Sequence, residues 1–251
     1  MTDLTGRVAL VTGASSGLGR HFAQVLAARG ATVIAAARRE AALEALAAEI
    51  VGAGGLCHPV VIDVTDADSV AAGIARGTDL AGPIGIVVNN AGVAQTQAAI
   101  DLSPADWRGA IEPNLTGAFL VAQAAARTMR DSGGGTIVNV ASILGERVSK
   151  GLAAYAASKA GLIQLTKALA LEWASLGVRV NALAPGYVET DLNRAFFATE
   201  AGARLVARIR QRRLGRLSDL DGPLLLLCSD ASRYMTGAVI AVDGGHLVSG
   251  L

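Results

Sequence analysis

The chain has 251 residues, of which 52% are hydrophobic and 17% charged, with 30 glycines and a formal net charge of +1. That length is near the upper size of one hydrophobic core and predicts a single domain over residues 1–251. The composition excludes disorder, and the near-neutral charge excludes a field that would draw the chain to nucleic acid or an anionic membrane.

Short apolar runs alternate with Ala- and Leu-rich helical stretches. Strands are predicted near 7–12, 31–36, 56–61, 84–89, 135–141, 178–183 and 238–242, with the long helices near 107–130 and 153–176. Strands apolar throughout and separated by helices mean a parallel sheet covered on both faces, a doubly wound α/β fold. After the first strand comes Thr12-Gly13-Ala14-Ser15-Ser16-Gly17-Leu18-Gly19 and then an apolar helix. Such a turn brings backbone close to a pyrophosphate at a helix N-terminus, although Gly-x-x-x-Gly-x-Gly is not the Gly-x-Gly-x-x-Gly of other dinucleotide folds. The second strand ends Ala35-Ala36-Ala37-Arg38-Arg39, without the carboxylate that would repel a 2′-phosphate. Arginine offers phosphate a permanently charged planar fork, so Arg38 favours NADP(H). The helix at 40–50 carries Leu43, Leu46, Ala47 and Ile50 on one stripe, and Gly52, Gly54 and Gly55 stop it.

Asn89-Asn90-Ala91-Gly92 closes the fourth strand. In the helix that follows, Pro113 removes a hydrogen bond and bends the axis, which either exposes backbone at Asn114 for a water or shifts the asparagine out of place. The fifth strand leads to Ser142 in a small-residue turn. Tyr155 and Lys159 then stand four residues apart, on one face of a helix. A cation about 4 Å from a phenol is worth on the order of 4 kcal/mol at an effective dielectric near 20. That would pull a pKa near 10 down by roughly three units, towards 7, and make a tuned acid/base. Residues 186–216 interrupt the alternation where a ligand lid is expected. They carry Arg204, Arg208 and Arg212 at helical spacing with Arg210, Arg213 and Arg216 beside them. A solvated face is preferred there to a docking surface for an acyl carrier protein or a coenzyme A phosphate.

Cys57 and Cys228 fall in separate elements and read as reduced, buried small hydrophobes. His21, His58 and His246 are scattered, so no metal site is expected. No apolar run reaches membrane-spanning length, and Met1-Thr2-Asp3-Leu4 lacks the basic and apolar regions of a signal peptide, so a soluble cytoplasmic protein is expected.

In order, Thr12 to Gly19, Asp63, Asn89-Asn90-Ala91-Gly92, Asn114, Ser142, Tyr155-x-x-x-Lys159, Pro185-Gly186 and Asp243-Gly244-Gly245 resemble the short-chain dehydrogenase/reductase superfamily over essentially the whole chain. The resemblance implies a Rossmann-like single domain and hydride transfer between a nicotinamide and a carbonyl or carbinol carbon. Tyr155 would exchange the proton on the substrate oxygen, Ser142 would bond that oxygen, Lys159 would grip the nicotinamide ribose, and Asn114 would hold a water linking the lysine to solvent. Asn89 would tie neighbouring strands. Cofactor contacts are implied for Gly13, Ser15, Ser16, Gly17, Leu18, Gly19, Arg38, Arg39, Asp63, Val64, Asn90, Ala91, Gly92, Tyr155, Lys159, Pro185, Gly186, Val188 and Thr190. NADP(H) is preferred over NAD(H), although Ser16 stands where NADP(H)-preferring relatives often carry a second basic residue.

Substrate contacts are expected from Ala94, Gln95, Thr96, Ser142, Ile143, Leu144, Ser149, Leu152, Tyr155 and Tyr187. Ile143, Leu144 and Leu152 would form an apolar wall that suits an aryl or alkyl ketone better than a sugar. Arg147 and Lys150 could meet an anion or simply be solvated. Residues 218–251 resemble the part of the family that builds one subunit interface, so a homo-oligomer is expected, a tetramer or else a dimer. The expected activity is an NADP(H)-dependent carbonyl reductase/alcohol dehydrogenase. Alternatives are a 3-oxoacyl-carrier-protein reductase, a sugar or polyol dehydrogenase of the gluconate type and, remotely, a non-catalytic cofactor sensor.

Overall fold

A computed structural model describes residues 2–190 and 193–248. Seven strands form one parallel sheet in the order β3-β2-β1-β4-β5-β6-β7. They are β1 (Val8–Thr12), β2 (Thr32–Ala37), β3 (Leu56–Val61), β4 (Ile84–Asn89), β5 (Gly135–Val140), β6 (Val178–Pro185) and β7 (Val239–Val242). Each coincides with an expected strand to within two residues at either end. The helices that precede β6 are α1 (Gly17–Ala27), α2 (Glu40–Gly52), α3 (Ala67–Ala81), α4 (Pro104–Ile111), α5 (Gly117–Asp131) and α6 (Ala153–Trp173). After β6 come α7 (Arg194–Phe197), α8 (Glu200–Val206) and α9 (Asp221–Cys228).

Successive strand residues point to opposite faces, so an apolar strand feeds two cores. Val11, Val88 and Val138 pack with Phe22 and Leu26 of α1, Leu43 and Leu46 of α2 and Leu224 of α9. Their neighbours Leu10, Val87 and Ile137 pack with Ile74 of α3, Val121 and Met129 of α5 and Leu169 of α6. Edge strand β3 carries Pro59, whose missing N–H is tolerated where only one neighbour, β2, has to be bonded. The strand order reverses between β1 and β4, which opens the crevice at their carboxyl ends.

Two expectations need correction. The helix expected over 107–130 is two helices, α4 and α5, joined by a π turn at Glu112–Thr116. Pro113 cannot donate its backbone hydrogen bond, and the wider turn absorbs the defect. Ser103 starts α4 with a reciprocal capping box to Asp106. The arginines at helical spacing do not form one helical stripe, because α8 ends at Val206. Arg204 pairs with Glu200 and Arg213 with Asp219, while Arg208 and Arg212 lie in turns. Asp191 and Leu192 of the expected lid, and residues 249–251 of the expected interface segment, lie outside the described residues.

A buried polar chain braces the middle of the sheet. Asn89 Nδ2 donates to Asn139 Oδ1 and to the Ala118 carbonyl, both at 3.0 Å. Asn139 Nδ2 donates to Thr166 Oγ1 at 2.9 Å, and that hydroxyl donates to the Leu162 carbonyl at 2.8 Å. Asn89 therefore ties β4 to β5, as expected. Thr166→Val keeps the shape but orphans a buried amide, which costs about 1–3 kcal/mol. Thermal unfolding is expected to shift down by about 2–10 °C; an unchanged midpoint would contradict this role.

Candidate active site

Thr12, at the end of β1, joins the two crevice turns. Its Oγ1 accepts from the N–H groups of Asn90 at 3.0 Å and Ala91 at 3.1 Å. Asn90 Nδ2 returns a bond to the Thr12 carbonyl at 3.0 Å. A Cβ on Gly19 would stand 2.4 Å from both Asn90 Nδ2 and the Gly13 carbonyl oxygen, so no side chain fits there. Gly17, at φ +54°, faces open space instead. Helix α1 has no side-chain cap from Ser16 and no acidic residue in its first turn. Its leading N–H groups are therefore left for an anion.

Arg39, rather than Arg38, lies over this turn. Its Nη2 donates to Ser15 Oγ and Ser16 Oγ, both at 2.9 Å. Arg38 reaches outward, 4.0 Å from the Asp63 carboxylate and 73% exposed. Asp63 accepts from the Thr65 hydroxyl at 2.7 Å and from its N–H at 3.0 Å. These bonds, with Arg38 beside them, hold its carboxyl below the ordinary range. A glycine cradle and an open helix N-terminus fit the pyrophosphate of a dinucleotide. Val64 packs its side chain against Gly117 at the start of α5.

The side chains expected to react follow β5, in the turn after it and on α6. Ser142, just past β5, is 8% exposed, and its Oγ accepts from the Leu144 N–H at 3.1 Å. Tyr155 and Lys159 stand on the first two turns of α6. Lys159 is buried, and its Nζ donates to the Val140 carbonyl at 2.7 Å and lies 5.7 Å from the centre of the Tyr155 ring. Asn114, inside the π turn, is fully buried and has both side-chain ends bonded. Its Oδ1 accepts from Val93 N–H at 2.7 Å, while Nδ2 donates to the Val93 carbonyl and to Ser158 Oγ, both at 2.9 Å. A Cβ on Gly92 would come 2.8 Å from Asn114 Oδ1 and 3.7 Å from Lys159 Nζ, so the three residues adjoin. The side chain of Asn114 is thus a clamp between the β4 loop and α6.

The fourth side of the crevice follows β6. Gly186 packs so closely on Asp243 that a Cβ would lie 2.7 Å from its Cα. Val188 bridges to Gly215 and ties together the two ends of the segment expected to form a lid. Thr190 N–H donates to Asn193 Oδ1 at 2.9 Å. Tyr187 has its ring 5.5 Å from His246 and 5.9 Å from Phe197. Arg147 Nη1 donates to the His246 carbonyl. The sequence analysis gave His246 no role beyond excluding a metal site, although Asp243-Gly244-Gly245 stands directly before it; only the fold carries it to Tyr187.

Other expected substrate residues divide. Ala94, Gln95 and Thr96 lie on an exposed loop, which Gln97 N–H fastens to the Gly151 carbonyl at 2.9 Å. Ser149, Leu152 and Tyr187 are half-buried. Ile143 is only 1% exposed and leaves a ligand almost no surface, so the wall it was expected to share with Leu144 is largely packed inside.

The electrostatics reverse one expectation. The Tyr155 phenol is held above its ordinary value, first because burial disfavours the anion. Ser142 draws it down, and Tyr187 pushes it up. The lysine does not bring the phenol towards neutrality here, because its ammonium points at Val140 and is itself pushed down to about 8 by burial. His246 is likewise lowered, by burial and then by Arg147.

These features define a nicotinamide-dinucleotide oxidoreductase of the doubly wound type. A family model, short chain dehydrogenase, matches residues 7–201, and the chain belongs to that family. It is 42% identical to the cis-4-hydroxycyclohexanecarboxylate dehydrogenase of Sinomonas cyclohexanicum, covering 96% of each chain. It is 38% identical to the 3-oxoacyl-[acyl-carrier-protein] reductase FabG of Escherichia coli (strain K12), over 97% of this chain and 98% of the other. Among solved structures it resembles a gluconate 5-dehydrogenase from Burkholderia cenocepacia J2315 in complex with NADP and tartrate. That match has a TM-score of 0.95 and 37% identity, covering all of this chain and 98% of the other.

Lys159 lies below the 10.5 of an exposed lysine, so between about 8 and that value the unfolded chain binds more protons and stability rises with pH. Below that window the buried charge costs about 3 kcal/mol. Lys159→Met should therefore stabilise the free protein by about 2 kcal/mol at pH 7, after allowing for the bond lost at Val140. The margin should shrink as pH rises through the window. Melting curves that show Lys159→Met less stable at pH 7 would contradict this.

Proposed function

We propose that the protein is an NADP(H)-dependent carbonyl reductase/alcohol dehydrogenase acting on ketones and secondary alcohols. The observation that carries the reading is the convergence of Ser142, Tyr155 and Lys159 beside a glycine cradle over which Arg39 lies. NADP(H) held in this crevice would supply or accept the hydride, and its oxidised ring would add a positive charge there. The chain's own residues handle the substrate oxygen. Ser142 donates a hydrogen bond to it, and Tyr155 gives or takes its proton. Lys159 orients the cofactor ribose and supplies the nearest cation. Asn114 holds the loop after β4 against α6, and so keeps Lys159 in register with Gly92.

Arg39 and Ser15 would receive the 2′-phosphate, with Arg38 adding charge from the rim and Asp63 reaching the adenine end. Gly13 and Gly17 to Gly19 would face the pyrophosphate, and Asn90 to Gly92 the ribose. Pro185, Gly186, Val188 and Thr190 would border the nicotinamide. Leu152 and Tyr187 favour a substrate with an apolar body. The names of the relatives keep open a 3-oxoacyl-carrier-protein reductase or a gluconate-type dehydrogenase, which kinetics with acetoacetyl thioesters, aromatic ketones and gluconate would separate. A homotetramer in the cytoplasm completes this reading. The free, buried cysteines support the compartment, and the half-exposed edge strand β7 leaves a surface for a second copy to cover.

Tyr155→Phe is expected to lower kcat by at least about 100-fold while leaving NADPH affinity unchanged; retained turnover would remove the proton-transfer role. Arg39→Ala removes charge-assisted bonds and should weaken NADPH by about 10- to 100-fold, with NADH almost unaffected. Equal losses for the two cofactors in a binding titration would contradict the phosphate contact.

A further inference from the structure

At the amino ends of the strands, opposite the nucleotide turns, lies a groove of about 900 Å³. That is the size of a ligand pocket, yet parallel α/β sheets bind their ligands at the carboxyl ends. Its floor is backbone: glycines at the entries to β4 and β5 leave the strand ends bare. One of them, Gly134, could carry no side chain, since a Cβ would lie 2.4 Å from the Gly177 carbonyl oxygen.

The charge on its walls is one-sided. Arg7, Arg179 and Arg233 face a single carboxylate, Asp230. This gives a local excess of two positive charges in a chain whose total is +1. Arg179 is committed to the fold. Its Nη1 donates to Ser232 Oγ at 2.9 Å, and its Nη2 to the carbonyls of Leu227 and Ser229, both at 3.2 Å. Among the described residues the Arg7 guanidinium has one ion pair, at 3.5 Å to Asp230, whose side chain is 84% exposed. Burial and the nearby Arg7 both lower the basicity of Arg179, as expected where two guanidinium groups crowd together. Arg233 is exposed, and beside it the Tyr234 ring stands wholly in solvent.

We propose that this groove binds a small planar organic anion, its charge against Arg7 and Arg233 and its ring against Tyr234. An arginine pair recognises sulfonate, carboxylate or phosphate alike, and an exposed aromatic ring beside it supplies the stacking surface. The site is separate from the crevice and does not depend on which substrate is turned over there.

The test uses the full chain saturated with NADP+, so that the nucleotide cleft is filled. It is titrated with the fluorescent anion 8-anilino-1-naphthalenesulfonate and, in parallel, with the uncharged N-phenyl-1-naphthylamine. The sulfonate is expected to bind one site per chain, at least about 10-fold tighter than the neutral amine, and to be displaced by inorganic phosphate. Arg233→Ala should weaken it by at least about 10-fold, and Arg7→Ala combined with Arg233→Ala should abolish the preference for charge. Turnover of Arg233→Ala should match the parent, which shows that the variant folds. Equal binding of the two dyes, or sulfonate binding indifferent to Arg233→Ala, would overturn the proposal. So would absence of sulfonate binding in the parent together with dissociation of the assembly in Tyr234→Ala by sedimentation, since the groove would then be a contact between copies of the chain.

Discussion

The site is organised around a buried ammonium. Lys159 lies inside the fold with no carboxylate at ion-pair distance among the described residues, and its bonded partner is a neutral carbonyl. Such a group is retained against a penalty of several kcal/mol only if its surroundings hold it in place. Several do so here. Asn114 locks the loop after β4 onto α6, Gly92 yields the space a side chain would fill, and β5 offers the Val140 carbonyl as acceptor. The loss in stability at Lys159 and the positioning of Tyr155 are therefore two aspects of one arrangement.

The doubly wound topology makes that arrangement possible. Because the strand order reverses between β1 and β4, the turns after these strands meet, and Thr12 bonds them together. The ends of β5 and β6 then bring Ser142 and Tyr187 to the same side as the glycine turn. The two ends of the sheet differ in character. At the carboxyl ends backbone amides and a helix N-terminus await an anion, whereas at the amino ends arginine side chains carry the charge.

Most of the fold was legible in the sequence because the five inner strands are buried on both faces, so that their apolar runs begin and end where the sheet does. Legibility failed where a property depends on direction in space. A four-residue interval puts Tyr155 and Lys159 on one helix face, but it does not reveal that the ammonium turns towards Val140. The expected drop in the phenol's pKa was therefore wrong in sign for the free protein. Adjacent arginines at a strand end point to different sides, so Arg39 reached the serines while Arg38 went to the rim. Pro113 signalled a defect beside Asn114, but the form of that defect, a π turn with the side chain clamped, came from packing on Val93 and Ser158. The motif Asp243-Gly244-Gly245 stands directly before His246 but does not reveal its contact with Tyr187, which joins segments far apart in the chain.

The central claim is that the chain alone holds the Tyr155 phenol protonated, because the nearby Lys159 ammonium is turned to the Val140 carbonyl, and that a second positive charge would come with the oxidised cofactor. Only three tyrosines are present, so the ultraviolet absorbance of tyrosinate, taken as the difference between parent and Tyr155→Phe, isolates this phenol. Titrated without cofactor, it should ionise above the ordinary value, and saturating NADP+ should bring it down by at least about one unit. A phenol that already ionises near neutrality in the free protein, or one that NADP+ leaves unmoved, would contradict the account.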